Sequence, residues 1–199
     1  MISKSAYAIV GFFAILFVLV WIFFAFSWFL FLLLLALLFI FRNSKNSIVC
    51  NDEKAILAPV SGTISKISNI KHKDLGECIE LDIKNALYDE GVIRASSAMQ
   101  IQAVKFRHGL FGSLFNSTKF SERVLLLAHH QNKHFGLRIN AGSLERGLVL
   151  FENFTDLKAG DELGFSLNST ISVLLPKDTR LLVGVGDELK ACALLGYFA

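Results

Sequence analysis

Val124-Leu125-Leu126-Leu127-Ala128-His129-His130, then Gln131-Asn132-Lys133, then His134-Phe135-Gly136-Leu137-Arg138-Ile139, is the stretch whose reading decides the fold of most of this chain. Two short apolar runs flank three polar, turn-forming residues, which predicts a β-hairpin rather than a helix. Working outward, the pattern recurs throughout the chain beyond about Asn43, where no helical period is sustained. Candidate strands are 57–67, 78–83, 101–106, 124–130, 135–139, 148–151, 162–167, 169–175 and 181–185. Their spacing suits a barrel or sandwich rather than βαβ units. Gly160-Asp161-Glu162-Leu163 returns as Gly186-Asp187-Glu188-Leu189, which reads as two β-turns of similar build. Two copies of four residues do not make a solenoid.

Toward the N-terminus the composition changes. Ala6 to Phe41, 36 residues (41 − 6 + 1), contains no charged side chain. That is too long for the 7–15 apolar residues of a signal peptide, and it ends in Phe39-Ile40-Phe41 with no small-residue cleavage site. One helix of that length would run to about 54 Å against a hydrocarbon core of about 30 Å. Two transmembrane or membrane-embedded helices of about 18 residues fit better, turning near Ala25-Phe26-Ser27-Trp28. Lys4 precedes the segment, and Arg42 and Lys45 follow it, so the positive-inside rule prefers both flanks on the cytoplasmic side. The expected organisation is a membrane anchor over 1–42 and a mainly β domain over 43–199, held at the inner (cytoplasmic) membrane and facing the cytoplasm.

A net charge of +3, with no basic stripe interleaved with aromatics, sets nucleic acid aside. Cys50, Cys78 and Cys192 are odd in number and lack C-x-x-C spacing, so neither a disulfide framework nor a zinc site is expected. His129, His130 and His134 read as exposed imidazoles at the hairpin tip rather than metal ligands. His72 and His108 lie in turn-like surroundings. Composition and periodicity stop at a membrane-anchored β domain, with a homo-oligomer compatible but not indicated.

The order of short motifs goes further, because it resembles the phosphatidylserine decarboxylases, in particular the short, membrane-anchored kind. Phe39-Ile40-Phe41-Arg42-Asn43-Ser44-Lys45 stands where that family reads F-F-R-D-P-E-R, and Ala58-Pro59-Val60-Ser61-Gly62-Thr63-Ile64 where it reads S-P-A-D-G-K-V. Arg94-Ala95 and Phe106-Arg107-His108-Gly109-Leu110-Phe111 resemble R-A-P-x-x-G and Y-x-P-G-x-F. Ser121-Glu122-Arg123 resembles S-E-R-N, and Ile139-Asn140-Ala141-Gly142-Ser143-Leu144-Glu145-Arg146-Gly147-Leu148-Val149 resembles Q-I-A-G-x-x-A-R-R-I-V. Leu167-Asn168-Ser169-Thr170 through Leu175-Pro176 resembles F-G-S-R-V-D-L-Y-L-P, and Val185-Gly186-Asp187-Glu188-Leu189-Lys190-Ala191-Cys192 resembles V-G-D-K-V-x-A-G.

The resemblance implies pyruvoyl-dependent conversion of phosphatidylserine to phosphatidylethanolamine in phospholipid biosynthesis, a lyase reaction on a membrane phospholipid. It also implies a cofactor made from the chain itself: Ser169 attacks the carbonyl of Asn168, and the resulting ester eliminates to leave a pyruvoyl group. That maturation needs the serine, an activating His, an Asp that holds the His, and a strained peptide before the serine. Ser169 fills the serine position. Asn168 replaces the usual Gly and is the residue type next most tolerant of positive φ. Ser61 stands at the Asp position, and the His falls on Gly91 in one register or Gln102 in a neighbouring one. His108, where the family has Pro, is the nearby imidazole. General base catalysis contributes typically about 10²–10⁴-fold, so these departures imply inefficient self-processing. The alternative is a non-catalytic, lipid- or protein-binding homologue, a pseudoenzyme. A lipoyl-like carrier with Lys133 or Lys158 at a hairpin tip is the third option.

Overall fold

A computed structural model describes residues 7–23, 27–42, 52–109, 122–131, 133–142, 149–150 and 156–199. The chain forms two compact units, Met1–Lys45 and Asn46–Ala199.

The first unit holds α1 (Tyr7–Phe23) and α2 (Trp28–Ile40). The sequence breaks where a polar side chain interrupts the apolar run. Ser27 is extended (φ −99°, ψ 105°), its hydroxyl accepts from the Leu30 N–H at 3.5 Å, and its carbonyl accepts from the Phe31 N–H. It thus caps α2 by satisfying donors that have no partner inside the helix. The two helices pack on each other, with the Phe17 and Phe31 rings 6.1 Å apart. Their lengths correct the expectation of two spans of about 18 residues. α1 has 17 residues and α2 has 13, about 26 and 20 Å of helix. Among the described residues no helix is long and apolar enough to cross a membrane.

The second unit is mainly β. Its strands are β1 (Ala55–Leu57), β2 (Gly62–His72), β3 (Gly76–Lys84), β4 (Val92–Arg94) and β5 (Met99–Arg107). They continue as β6 (Arg123–His130), β7 (Lys133–Asn140), β8 (Val149–Leu150), β9 (Asp156–Leu157) and β10 (Glu162–Phe165). The last are β11 (Thr170–Pro176), β12 (Arg180–Leu181), β13 (Glu188–Leu189) and β14 (Leu194–Tyr197). Eight of them form one sheet in the order β13-β2-β3-β11-β7-β6-β5-β9, and two three-stranded sheets run β1-β14-β12 and β4-β10-β8. The large sheet curls into a half-barrel. The tip of the β2–β3 hairpin reaches back across it, so that Asp74 bonds to Lys105 on β5 at 2.7 Å.

β6 shows how an apolar run becomes two-faced. Val124, Leu126, Ala128 and His130 are buried, whereas Arg123, Leu125, Leu127 and His129 alternate with them at half-burial. The buried face joins Ile64, Leu81, Ile83, Leu137, Ile171 and Val173 from neighbouring strands. It packs on Ile56, Val60, Ile93, Leu163, Leu195 and Phe198 to make one core. The run expected over 57–67 is split by the turn at 58–61, and that over 181–185 shrinks to β12, because Leu182 and Val185 face outward. The pieces β4, β9, β13 and β14 carried no sequence signal of their own, being two to four residues long. The repeated Gly-Asp turns match in detail. Gly160 and Gly186 have φ of 85° and 96°, and the carboxylates of Asp161 and Asp187 accept from the Lys158 and Gly184 N–H at 2.8 and 2.7 Å.

Candidate functional site

Ser169 lies at the mouth of β11, one residue before the row of cross-strand partners Thr63, Lys84, Thr170, Asn140, Arg123 and Arg107. Ser169 is 1 % exposed, and its hydroxyl has no hydrogen-bond partner among the described residues. Asn168 before it adopts φ 50°, the left-handed conformation that Asn tolerates better than other side chains. The peptide is clamped from outside by Gly142. A Cβ on Gly142 would stand 2.3 Å from the Asn168 carbonyl oxygen and 2.4 Å from that of Leu167, so only glycine lets the two backbones meet. The strained peptide and the buried hydroxyl are therefore both present.

The motif segments that are far apart in sequence converge on this point. Ala58 and Cys192 donate to the carbonyls of Ala193 and Ala58, zipping the Ala58–Ile64 motif to the closing Val185–Cys192 stretch. Arg94 donates its backbone N–H to Pro59, and Ala141 donates to Glu122. Asn85, which carried no sequence signal beyond that of a strand-end turn residue, turns out to be the hub. It is fully buried, its backbone N–H donates to the Ser169 carbonyl at 2.9 Å, and its side-chain amide donates to the carbonyls of Ser61 and Glu90. Glu90 in turn faces the Arg94 guanidinium at 3.5 Å, and Arg94 also meets Glu162 at 3.8 Å. Burying Glu90 and Arg94 is tolerable only because they are paired, with the partly exposed Glu162 beside them.

The groups that would move a proton are another matter. Ser61 sends its hydroxyl not toward Ser169 but to the Ala191 N–H, from which it accepts at 3.0 Å. Of the two positions offered for the histidine, only Gly91 touches the segment leading to Ser169: its carbonyl accepts from the Ser166 N–H at 2.8 Å. It has no room for a side chain, because a Cβ there would stand 2.7 Å from the Ser166 carbonyl oxygen. Gln102 sits in a β-bulge on β5, exposed. His108 follows Arg107, three strand steps from Thr170, about 14 Å along the sheet. It is 91 % exposed and faces Glu122 at 3.9 Å.

Of the remaining four histidines, His72 ends β2, and His129, His130 and His134 lie at the opposite end of β6 and β7. His134 is six residues from Asn140, about 20 Å away. One expectation about them is corrected: His130 is buried. One of its ring nitrogens, Nδ1, donates to the Ala98 carbonyl at 2.5 Å, and its ring stacks on Phe198. That contact fills the core because position 130 falls on the inner face in the alternation of β6. The histidine pair at 129 and 130 lines a cavity of about 350 Å³ with Met99, Gln100, Asp156 and Leu157. Among the described residues no three His, Cys, Asp or Glu side chains stand close enough to hold a metal ion. Cys78 and Cys192 are buried free thiols, whose pKa values burial pushes up and so away from reactivity.

Pyruvoyl formation thus finds its serine and its strained peptide here, but no described acid or base in contact with the hydroxyl. Comparison with known proteins agrees on the lineage. No solved structure matches the chain. A protein named phosphatidylserine decarboxylase proenzyme from Carboxydothermus hydrogenoformans is 29 % identical over 159 residues, 76 % of this chain and 74 % of its own. Proteins of the same name from Desulfotalea psychrophila and Syntrophus aciditrophicus are 27 % and 26 % identical over 77 % and 70 % of this chain and 75 % and 68 % of theirs. The family model for phosphatidylserine decarboxylase matches residues 34–197, from within α2 to the end of β14, and the chain belongs to that family.

Proposed function

We propose that this chain is a membrane-phospholipid protein that keeps the decarboxylase fold and the serine position but remains one uncut chain, binding a phospholipid rather than decarboxylating it. The observation that carries the reading is the Ser169 hydroxyl, buried with no hydrogen-bond partner among the described residues, while Ser61 stands at the Asp position and Gly91 or, in the neighbouring register, Gln102 at the His position. A serine is a weak nucleophile at its ordinary pKa and needs an adjacent base. The apolar Ala6–Phe41 segment supports placing the protein at the inner membrane, with Arg42 and Lys45 favouring a domain on the cytoplasmic side.

The second reading is a slow pyruvoyl-dependent decarboxylase of phosphatidylserine with Ser169 as pyruvoyl precursor. The left-handed Asn168 packed on Gly142 favours it, since that strain is what cleavage of the Asn168–Ser169 bond would release. The intact mass of the purified full-length protein separates the two. A single uncut species is the expected result. A fragment of 31 residues (199 − 168) with a blocked N-terminus, abolished by Ser169→Ala, would establish the second reading instead.

A further inference from the structure

The end of the half-barrel that holds Ser169 exposes apolar and basic side chains side by side. The loop after β3 projects Leu87 and Tyr88, 42 % and 70 % exposed, directly beyond Asn85. Four strands across, β5 ends in Phe106, 52 % exposed, and its last residue Arg107. The two apolar points are about 19 Å apart along one rim at normal strand spacing. Between and beside them stand Lys84, Arg123 and Arg107, with His108 next in the chain. Arg107 and Arg123 are direct cross-strand partners, an arrangement of like charges that weakens a sheet. Burial is the main cause that lowers the proton affinity of Arg123; the neighbouring Arg138 and Arg107 add to it and Glu80 opposes it. Among the described acids at this rim, Asp89 accepts from the Ala86 N–H at 2.8 Å and Glu122 faces His108, while Glu188, the cross-strand partner of Thr63, is exposed at the far end of the row beyond Lys84.

We propose that this rim is the face that docks on a bilayer containing anionic phospholipid. Leu87, Tyr88 and Phe106 enter the headgroup layer, and Lys84 and Arg107 lie against the phosphates. Amphipathic aromatic and aliphatic side chains favour the membrane–water interface, and basic residues near an anionic surface add electrostatic attraction. Docking this way points the mouth of β11, and with it Ser169, at the lipid headgroups. The inference rests on the membrane-phospholipid reading above but not on whether the chain is cut.

The test uses the full chain with Cys50→Ser, reconstituted in vesicles, and an environment-sensitive fluorophore on a single introduced cysteine. Tyr88→Cys and Phe106→Cys report the rim. Lys177→Cys reports the opposite end, beyond the seven residues of β11 and about 24 Å away. Immersion at an interface reaches about 5–10 Å, so a lipid carrying a headgroup quencher should quench both rim labels at least about threefold more than the Lys177 label. This should hold in mixed phosphatidylcholine–phosphatidylglycerol vesicles, and most of the difference should vanish in Lys84→Glu/Arg107→Glu. Equal quenching at all three sites, strongest quenching at 177, or an unchanged difference in the charge-reversed variant would overturn the proposal. Failure of the membrane-phospholipid reading looks different: the protein would not co-float with vesicles at all. Repeating the measurement in Ser169→Ala removes any contribution from self-cleavage.

Discussion

Gly142 is the residue on which the candidate site leans most directly. The Asn168 and Leu167 carbonyl oxygens lie where its Cβ would go, and both belong to backbone that cannot swing aside as a side-chain tip can. Gly142→Ala should therefore destabilise the protein by about 1–3 kcal/mol, the usual cost of overpacking. Asn168→Gly should be nearly neutral, because it keeps the left-handed backbone, whereas Asn168→Ala should lose about 1–2 kcal/mol there. Chemical denaturation midpoints at constant slope measure all three. A Gly142→Ala protein as stable as its parent would mean that the 141–142 turn can move away from the serine without cost. At this scale the sequence revealed part of the truth. Asn168 could be read as a positive-φ residue from its type and place, but the lack of room at Gly91 could not. That constraint comes from Ser166 and Phe165, more than seventy residues further along the chain.

Among the elements, the β2–β3 hairpin carries a tip contact that should depend on pH. Its tip is tied to β5 by Asp74 and Lys105, and the hydrogen bond from the Lys105 ammonium holds the Asp74 carboxyl below the usual Asp range. A depressed carboxylate pKa means the contact is fully present above the unfolded-state value of about 4. It is lost as pH falls through the lower folded-state value. Amide hydrogen exchange across 72–76 should accordingly stay slow at pH about 5 and accelerate by pH about 2, after correction for intrinsic rates. Asp74→Asn should show the fast exchange already at neutral pH; protection indifferent to both changes would show that Leu75 packing, not the ion pair, holds the tip. The β6–β7 hairpin was legible because a polar turn separates two runs of strand length. The curl that carries one hairpin over another sheet face was not, since it follows from a contact between residues 31 apart.

For the second unit as a whole, stability rests on one core shared by all three sheets. Phe135 is 1 % exposed and meets Phe198 with ring centroids 5.6 Å apart, joining the large sheet to the chain's C-terminal strand. Phe135→Ala should cost about 3–5 kcal/mol, read as loss of the β circular-dichroism signal at lower denaturant, and Phe135→Leu clearly less. If the alanine variant loses under about 1 kcal/mol, the C-terminal strand must close the core by other contacts.

The sequence by itself determined the uncharged N-terminal stretch, the strand-rich character of the rest, the two Gly-Asp turns and the serine with its unusual neighbour. Each of these is written in local composition, where side-chain chemistry acts over a few residues. Tertiary structure alone decided the length of the two helices on either side of Ser27, the burial of His130 and the hub at Asn85. It alone also set the distance that separates every described imidazole from Ser169. Those outcomes depend on which strands become neighbours, and strand order is set by how distant segments bury a common core rather than by any one of them.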